Sequence, residues 1–363
     1  MTPIRAAVCT APGAPLRIET LHLAPPGPGQ VQVRIRAVAI CHSDIGYVEG
    51  AWRSPLPAVF GHEAAGVVQA VGPGVRGIAP RDAVLVTLIR HCGTCPACRD
   101  GAPVHCETPP SGAPVLHRPD GTAVEQGFAC AAFAEAVTVD ESQIVPLPDD
   151  IAPEPACLLS CGVITGVGAA VNSARIRPGE RVVVIGAGGV GLNAIQGARI
   201  AGAAHVVAVD LSPGKLADAA DFGATVGILA DSDKPWRAAQ AAMGGRGADA
   251  VLVAAGALPA YEAAPRYLAR RGRMVMVGMP PSGAKAGYEP VILSQLGQSL
   301  RGSYMGDAQP RRDIGWLIAL YRQGRLKLDE LVTGRFPLER IGEAIADTKA
   351  GRARRNVIVF PED

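Results

Sequence analysis

Residues 181–191, RVVVIGAGGVG, leave fewer folds open than any other stretch of this chain. An apolar run of strand type passes directly into Gly186-Ala-Gly-Gly-Val-Gly191, which fits G-x-G-x-x-G, and an apolar helical pattern follows to about Ala201. In a chain with 44 glycines the spacing alone says little. Its setting says more. A strand precedes it, a helix follows, and a second strand, His205 to Val209, ends in Asp210. That combination is the signature of a dinucleotide-binding βαβ unit. Gly186 permits the tight turn, Gly188 lets the backbone approach a pyrophosphate, and Gly191 lets helix and strand pack closely. The helix opening at Gly189 and Val190 turns free N–H groups and a positive dipole end towards the phosphates. Asp210 accepts hydrogen bonds from an adenosine ribose and repels a 2′-phosphate, so NAD is favoured over NADP. The alternative is a glycine turn that merely closes a βα unit.

The rest of the chain divides around this unit. With 363 residues, two domains of ordinary size are expected. The first 150 residues read as short strands and turns: Val31 to Ile40 alternates apolar and polar, Ala64 to Val71 and Asp82 to Leu88 are further strands, and Gly72-Pro73-Gly74 marks a turn. From about Glu154 strand and helix alternate. Arg181–Ile185, His205–Val209, Asp249–Ala255 and Arg273–Val277 read as strands, with a helical segment near Tyr261 to Arg271. Such alternation predicts a doubly wound parallel sheet in an α/β fold. The tail from about Gly302 carries two helical patterns and a last strand, Val357 to Phe360.

His91 to Cys106 reads HCGTCPACRDGAPVHC and places Cys92, Cys95, Cys98 and Cys106 at C-x2-C-x2-C-x7-C. Four thiolates in so short a stretch can close a tetrahedron around zinc with no position left for substrate, so the site would be structural. A redox C-x-x-C uses two cysteines and leaves the others idle. Three further signals are scattered: Cys41 in C-H-S-D, His62 and Glu63 in G-H-E, and Cys161 in S-C-G-V-I-T-G. Two thiolates and an imidazole leave a fourth position open, the pattern of a catalytic zinc. Taken singly, each of these residues is equally consistent with buried packing.

Taken in order, C41-H-S-D, G61-H-E, the four-cysteine lobe, C161-G-V-I-T-G and G186-A-G-G-V-G resemble the zinc-containing medium-chain alcohol dehydrogenases, from about Ala6 to Phe360. The resemblance implies a GroES-like, mostly-β catalytic domain at 1–156, a Rossmann NAD-binding domain at 157–300, and a C-terminal segment, 301–363, that returns to the catalytic domain. It implies two zinc ions per chain, with Cys41, His62 and Cys161 on the catalytic one. Glu63 matches a carboxylate that can transiently replace a ligand, Asp44 the group that orients the zinc-bound histidine, and Ser43 the hydroxyl that takes the alcohol proton. Thr165 and Val277 match residues near the nicotinamide, Lys215 a ribose contact, and His42 and Arg355 cations near the pyrophosphate. Trp52, Leu88, Met279 and Tyr304 fall around the substrate channel, an apolar lining suited to aryl or bulky aliphatic alcohols. One departure stands out. Where the best-known members carry a histidine that finishes a proton relay, this chain has Gly46.

The implied reaction is reversible hydride transfer between an alcohol and NAD, giving the aldehyde or ketone. Rival readings are a glutathione-dependent formaldehyde dehydrogenase, a polyol dehydrogenase, a nicotinoprotein, and an NAD-binding protein that has lost catalysis. The first carries an arginine shortly after the fourth lobe cysteine, where this chain has Glu107-Thr108-Pro109-Pro110. The second lacks the ligand that Cys161 supplies. Retention of all three ligands and of Ser43 argues against lost catalysis.

Composition sets the remaining bounds. Net charge is +2, from 35 basic and 33 acidic residues, which gives no electrostatic case for nucleic acid or an anionic membrane as partner. No apolar run reaches the length of a membrane span, and the N-terminus lacks a signal-type apolar core, so a soluble, cytoplasmic protein is expected. A homodimer or homotetramer is expected as well. In a reducing compartment nine cysteines are ligands or buried residues rather than disulfides.

Overall fold

The computed structural model describes residues 1–361. The chain packs as two units. The first holds Met1–Cys161, Gln309–Arg322 and the stretch from Lys327 onward; the second holds Gly162–Ala308 and Gln323–Leu326. The breaks expected after 156 and after 300 therefore fall after Cys161 and Ala308. Both displacements have a packing cause. The short helix Pro153–Cys157 lies on the strands Gln30–Ala39 and Ala64–Val71 of the first unit and carries the chain as far as Cys161. The turn at Met305–Asp307 packs on the helix Gly162–Gly168 of the second.

In the first unit, Thr2–Cys9, Arg17–Leu23, Leu116–His117, Ala123–Gln126 and Ala58–Val59 close into a small barrel. Beside it runs a sheet in the order Ile144–Pro146, Ala83–Val86, Ala64–Val71, Gln30–Ala39, Arg355–Val359, Val332–Phe336, with Ala136–Asp140 also paired to Gln30–Ala39. The last strand thus comes back to the first unit: Val357 stands opposite Ala39 and Ile358 opposite Val38. Periodicity does not single out the barrel strands, because three of the five are two to four residues long.

The second unit is a six-stranded sheet in the order Val226–Leu229, His205–Asp210, Arg181–Ile185, Ala248–Val253, Leu268–Met276, Ser299–Gly302. Every pairing in it is parallel. The order reverses direction at Arg181–Ile185, the doubly wound arrangement whose loops at the strand ends receive nucleotides. The helical segment expected over 261–271 begins and ends earlier. Helix occupies Leu258–Ala263 with one further turn to Tyr267, and strand begins at Leu268. Its arginine-rich start hides it from a hydrophobicity reading, and Arg271 takes a left-handed φ of +62° within it. Among the described residues no single helix is long and apolar enough to cross a membrane.

Candidate functional site

Three neighbouring strands bring distant residues together. Gln30–Ala39 runs into Ile40 and Cys41, the latter capping the helix His42–Val48. On one side Ala39 N–H donates to the Glu63 carbonyl at 2.9 Å; on the other Ile40 N–H donates to the Asn356 carbonyl at 2.9 Å. Sheet register alone therefore places Cys41, His62, Glu63 and Arg355 at one point, and Cys161 joins them at the foot of its helix. The ligating atoms of Cys41, His62, Glu63 and Cys161 lie within 4.8 Å of one another, and all four residues are buried.

The buried polar atoms show what this cluster can hold. His62 Nδ1 is 2.9 Å from Asp44 Oδ1, which also accepts from Gly61 N–H at 2.9 Å, while Asp44 Oδ2 accepts from Cys41 N–H at 3.2 Å. One ring nitrogen is thus fixed by a buried carboxylate, and the other, Nε2, is buried with no protein partner. A buried imidazole nitrogen without a hydrogen bond is costly unless something else fills its coordination, and a carboxylate on the opposite nitrogen is how metal-bound histidines are held. The sulfur pair points the same way. A hydrogen bond from Cys161 holds Cys41 well below the ordinary thiol range, and the same bond, with burial, pushes Cys161 well above it. One thiolate is already favoured, and a divalent cation would favour both. The donor set Cys, His, Cys fits zinc with a position to spare.

Glu63 is paired rather than free. Its Oε2 lies 2.6 Å from Arg355 Nη2, with both side chains almost wholly shielded. Burial pushes the Glu63 carboxyl up to about 7, and the Arg355 cation opposes that rise. The resemblance implies a place for Arg355 near a pyrophosphate; here its guanidinium is buried against Glu63. Ser43 sits half-buried beside Asp44, and His42 is exposed. Gly46 has a local reason. A Cβ there would lie 2.8 Å from Trp52 Cζ3, so the indole occupies the space a side chain at position 46 would need.

The lobe cysteines also converge. Cys92 Sγ is 4.0 Å from Cys98 Sγ, and Cys95 Sγ is 3.9 Å from Cys106 Sγ. These separations exceed the ~2.05 Å of a disulfide. They suit the edges of a tetrahedron built on ~2.3 Å zinc–sulfur bonds. N–H groups of Cys95 and Thr94 donate to Cys92 Sγ at 3.2 and 3.4 Å, and the Thr108 hydroxyl does so at 3.3 Å. Donation from Thr108, then Thr94, lowers the Cys92 thiol to about 5. All nine cysteines are free of disulfides.

In the second unit the glycine loop has the expected form. Gly186 has φ +93°, a Cβ on Gly191 would lie 1.8 Å from the Gly186 carbonyl oxygen, and Gly188 has nothing within 4 Å on that side. Helix runs over Gly189–Ile200. Asp210 has a second task that sequence does not reveal: Oδ2 accepts from Ala187 N–H at 2.8 Å and Oδ1 from Ser212 N–H at 3.0 Å. It clips the loop while keeping acceptor capacity for a ribose. Lys215 lies in the first turn of the next helix, Pro213–Asp221, its N–H donating to Ser212 Oγ at 3.4 Å. Thr165 and Val277 are buried, and the Thr165 hydroxyl donates to Met305 Sδ at 3.6 Å.

The four residues expected around a substrate channel divide between the units. Trp52 packs edge-on against Tyr47, with ring centroids 5.4 Å apart, and Leu88 is half-buried against the first unit's core. Met279 and Tyr304 belong to the second unit, 54 % and 44 % exposed. The first unit instead contains a cavity of about 460 Å³ lined in part by Tyr47, Phe60 and Phe128. Sequence reading missed Phe128, whose ring centroid is 4.2 Å from that of His62. No local pattern marks it.

Comparison with known proteins agrees with this geometry. The alcohol dehydrogenase GroES-like domain family matches residues 27–149, and the zinc-binding dehydrogenase family matches residues 189–322. The chain is 36% identical to putative alcohol dehydrogenase D of Mycobacterium tuberculosis, covering 98% of this chain and 99% of that protein. It is 34% identical to the NDMA-dependent alcohol dehydrogenase of Amycolatopsis methanolica, over 99% of both. The crystal structure of benzyl alcohol dehydrogenase from Acinetobacter calcoaceticus superposes with a TM-score of 0.93 at 29% identity, covering 99% of this chain and 100% of that one. A GroES-like unit carrying two ligand clusters, joined in one chain to a parallel dinucleotide sheet, therefore makes this protein a member of the zinc-containing medium-chain alcohol dehydrogenase family.

Proposed function

We propose that the chain oxidises a primary aromatic or bulky apolar alcohol with NAD, reversibly, using two zinc ions of unequal role. The observation that carries this reading is His62: one ring nitrogen is held by Asp44, and the other is buried without a hydrogen bond in a cluster whose ligating atoms lie within 4.8 Å of one another. Cys41, His62 and Cys161 would hold the zinc of the reaction, and Cys92, Cys95, Cys98 and Cys106 a structural one. When bound, zinc supplies Lewis-acid polarisation of an alcohol oxygen and the nicotinamide accepts hydride. The chain's residues do the rest. Asp44 keeps the His62 ring in one orientation and one tautomer. The Ser43 hydroxyl receives the alcohol proton. Arg355 holds the Glu63 carboxylate in place beside the ligands and opposes the rise that burial imposes on it. Gly188, the helix opening at Gly189, and Asp210 bind the pyrophosphate and ribose, and the Asp210 carboxylate disfavours a 2′-phosphate.

The likeness to a benzyl alcohol dehydrogenase supports an aryl substrate. Polyols would bury unpaired hydroxyls, each costing on the order of 1–3 kcal/mol. The absence of disulfides among nine cysteines fits a soluble protein of the reducing cytoplasm. Exposed Val291 and Ile292, near the open edge strand Ser299–Gly302, support self-association, which mass in solution tests.

The deciding experiment is kcat/KM for benzyl alcohol, ethanol and sorbitol with NAD and with NADP, alongside zinc counted by mass spectrometry. Two zinc ions, NAD over NADP and benzyl alcohol over both others are expected. A single zinc after metal-replete purification, a preference for NADP, or ethanol as good as benzyl alcohol would each overturn the corresponding part. A second reading, in which the nicotinamide stays bound through turnover, is favoured by the likeness to an NDMA-dependent relative. Under it, activity appears only when NDMA is supplied.

A further inference from the structure

Within four residues this chain places three non-glycine residues in the left-handed region: Phe128 at φ +55°, Ala129 at +54° and Ala131 at +59°. Side chains disfavour that conformation, and it persists only where the surroundings impose it. Here they do so from two sides. The buried Gln143 amide donates to the Ala129 carbonyl at 3.0 Å and to the Thr87 carbonyl at 3.0 Å, and the Gln126 amide donates to the Cys130 carbonyl at 3.2 Å and to that of Thr138 at 2.8 Å. Ala132 and Phe133 N–H groups then donate to the carbonyls of Gly61 and Phe60, each at 2.9 Å. The strained segment is thereby fastened to the residues that immediately precede His62.

The product of this strain is the placement of one ring. Phe128 lies 4.2 Å, centroid to centroid, from the His62 imidazole at 38°. Tyr47 meets it nearly at right angles at 5.0 Å. The same ring lines the 460 Å³ cavity together with Tyr47 and Phe60. The Asp44 carboxylate restrains His62 through a single nitrogen, which leaves the imidazole free to tilt out of its own plane. A second ring against its face removes that freedom and keeps Nε2 aimed at the sulfurs.

We propose that Phe128 is a positioning and specificity residue, its ring bracing His62 while forming the wall of the cavity that receives the organic part of the alcohol. The second half of this statement rests on the aryl-alcohol reading above; the first half does not. Relaxing the left-handed segment would swing the ring away from both tasks, which gives the strain a use.

The test compares Phe128→Leu with Phe128→Tyr. Zinc release to a chromophoric chelator is followed as two phases, assigned with Cys161→Ser, which lacks one of them. Phe128→Leu should release the Cys41–His62–Cys161 zinc about 10- to 100-fold faster, the range found when a group supporting a metal ligand is lost. The four-cysteine phase should not move, and thermal unfolding confirms that the variant is folded. Phe128→Tyr keeps the ring and should retain wild-type release. In parallel, Phe128→Leu should raise kcat/KM for 4-tert-butylbenzyl alcohol relative to benzyl alcohol. Wild-type zinc release by Phe128→Leu overturns the brace, and an unmoved substrate ratio overturns the wall. If the wild-type enzyme turns over no alcohol at all, the proposed function falls, while zinc release still decides the brace.

Discussion

The two cysteine-bearing clusters share one unit and are built on opposite plans. The lobe cluster draws all four ligands from residues 92–106, three of its four cysteines are partly exposed, and what holds them is local: N–H groups of Thr94 and Cys95 and the Thr108 hydroxyl. The other cluster draws on residues 41, 62, 63 and 161, lies fully buried, and is assembled by the register of three strands and a buried carboxylate. A local loop of thiolates has little reason to hold its shape without an ion, because the ion is its core. The buried cluster is shaped by the fold before any ion arrives. The first should therefore govern stability and the second reactivity.

The largest expected effect tests the first half of that contrast. Cys106→Ser should lose one zinc and much stability. A zinc held by thiolates contributes on the order of 10 kcal/mol to its site. Losing about a third of that lowers Tm by about 10 °C in a unit of this size. Metal counting and calorimetry check it, and an unchanged Tm would break the contrast. Next, Cys161→Ser should lose the other zinc and all measurable turnover, with Tm within about 4 °C of wild type. If this variant melts as early as Cys106→Ser, the buried cluster is also structural.

Smaller effects sharpen the comparison. Asp44→Asn keeps one acceptor for the Gly61 and Cys41 N–H groups but weakens the hold on His62. It should lower affinity for the buried zinc about 10- to 100-fold and leave the lobe zinc unmoved, as read by competition with a chelator. The smallest effect belongs to Thr108→Val, which removes one hydroxyl donor from Cys92. At about 1 kcal/mol for a single hydrogen bond, lobe zinc affinity should fall about fivefold, with turnover unchanged. A Thr108→Val effect larger than that of Asp44→Asn would show that local donors, rather than the ion, shape the lobe.

The same contrast explains what was legible in the sequence. The lobe was readable because its ligands sit in one loop, where spacing and geometry are the same information. The glycine loop was readable for that reason too, since Gly186, Gly188 and Gly191 act within one turn of chain. The buried cluster could be assembled only by resemblance, because Cys41, His62 and Cys161 meet through sheet register, which no local spacing encodes. The Arg355–Glu63 pair lay outside even that reading: Arg355 stands 292 residues beyond Glu63 (355 − 63) and reaches it by strand pairing alone. Phe128 was invisible for a different reason. Its place depends on a left-handed backbone imposed by Gln126 and Gln143, and a phenylalanine carries no sign of such a conformation.

The contact between Gly46 and Trp52 reaches beyond the present enzyme. Any side chain introduced at position 46 meets an indole already in place, whereas shrinking Trp52 first leaves only a gap. A lineage that replaces this glycine with a histidine therefore has to shift or shrink Trp52 as well. The two positions are coupled: while the Trp52 indole keeps its present place, a relay group at position 46 has no room.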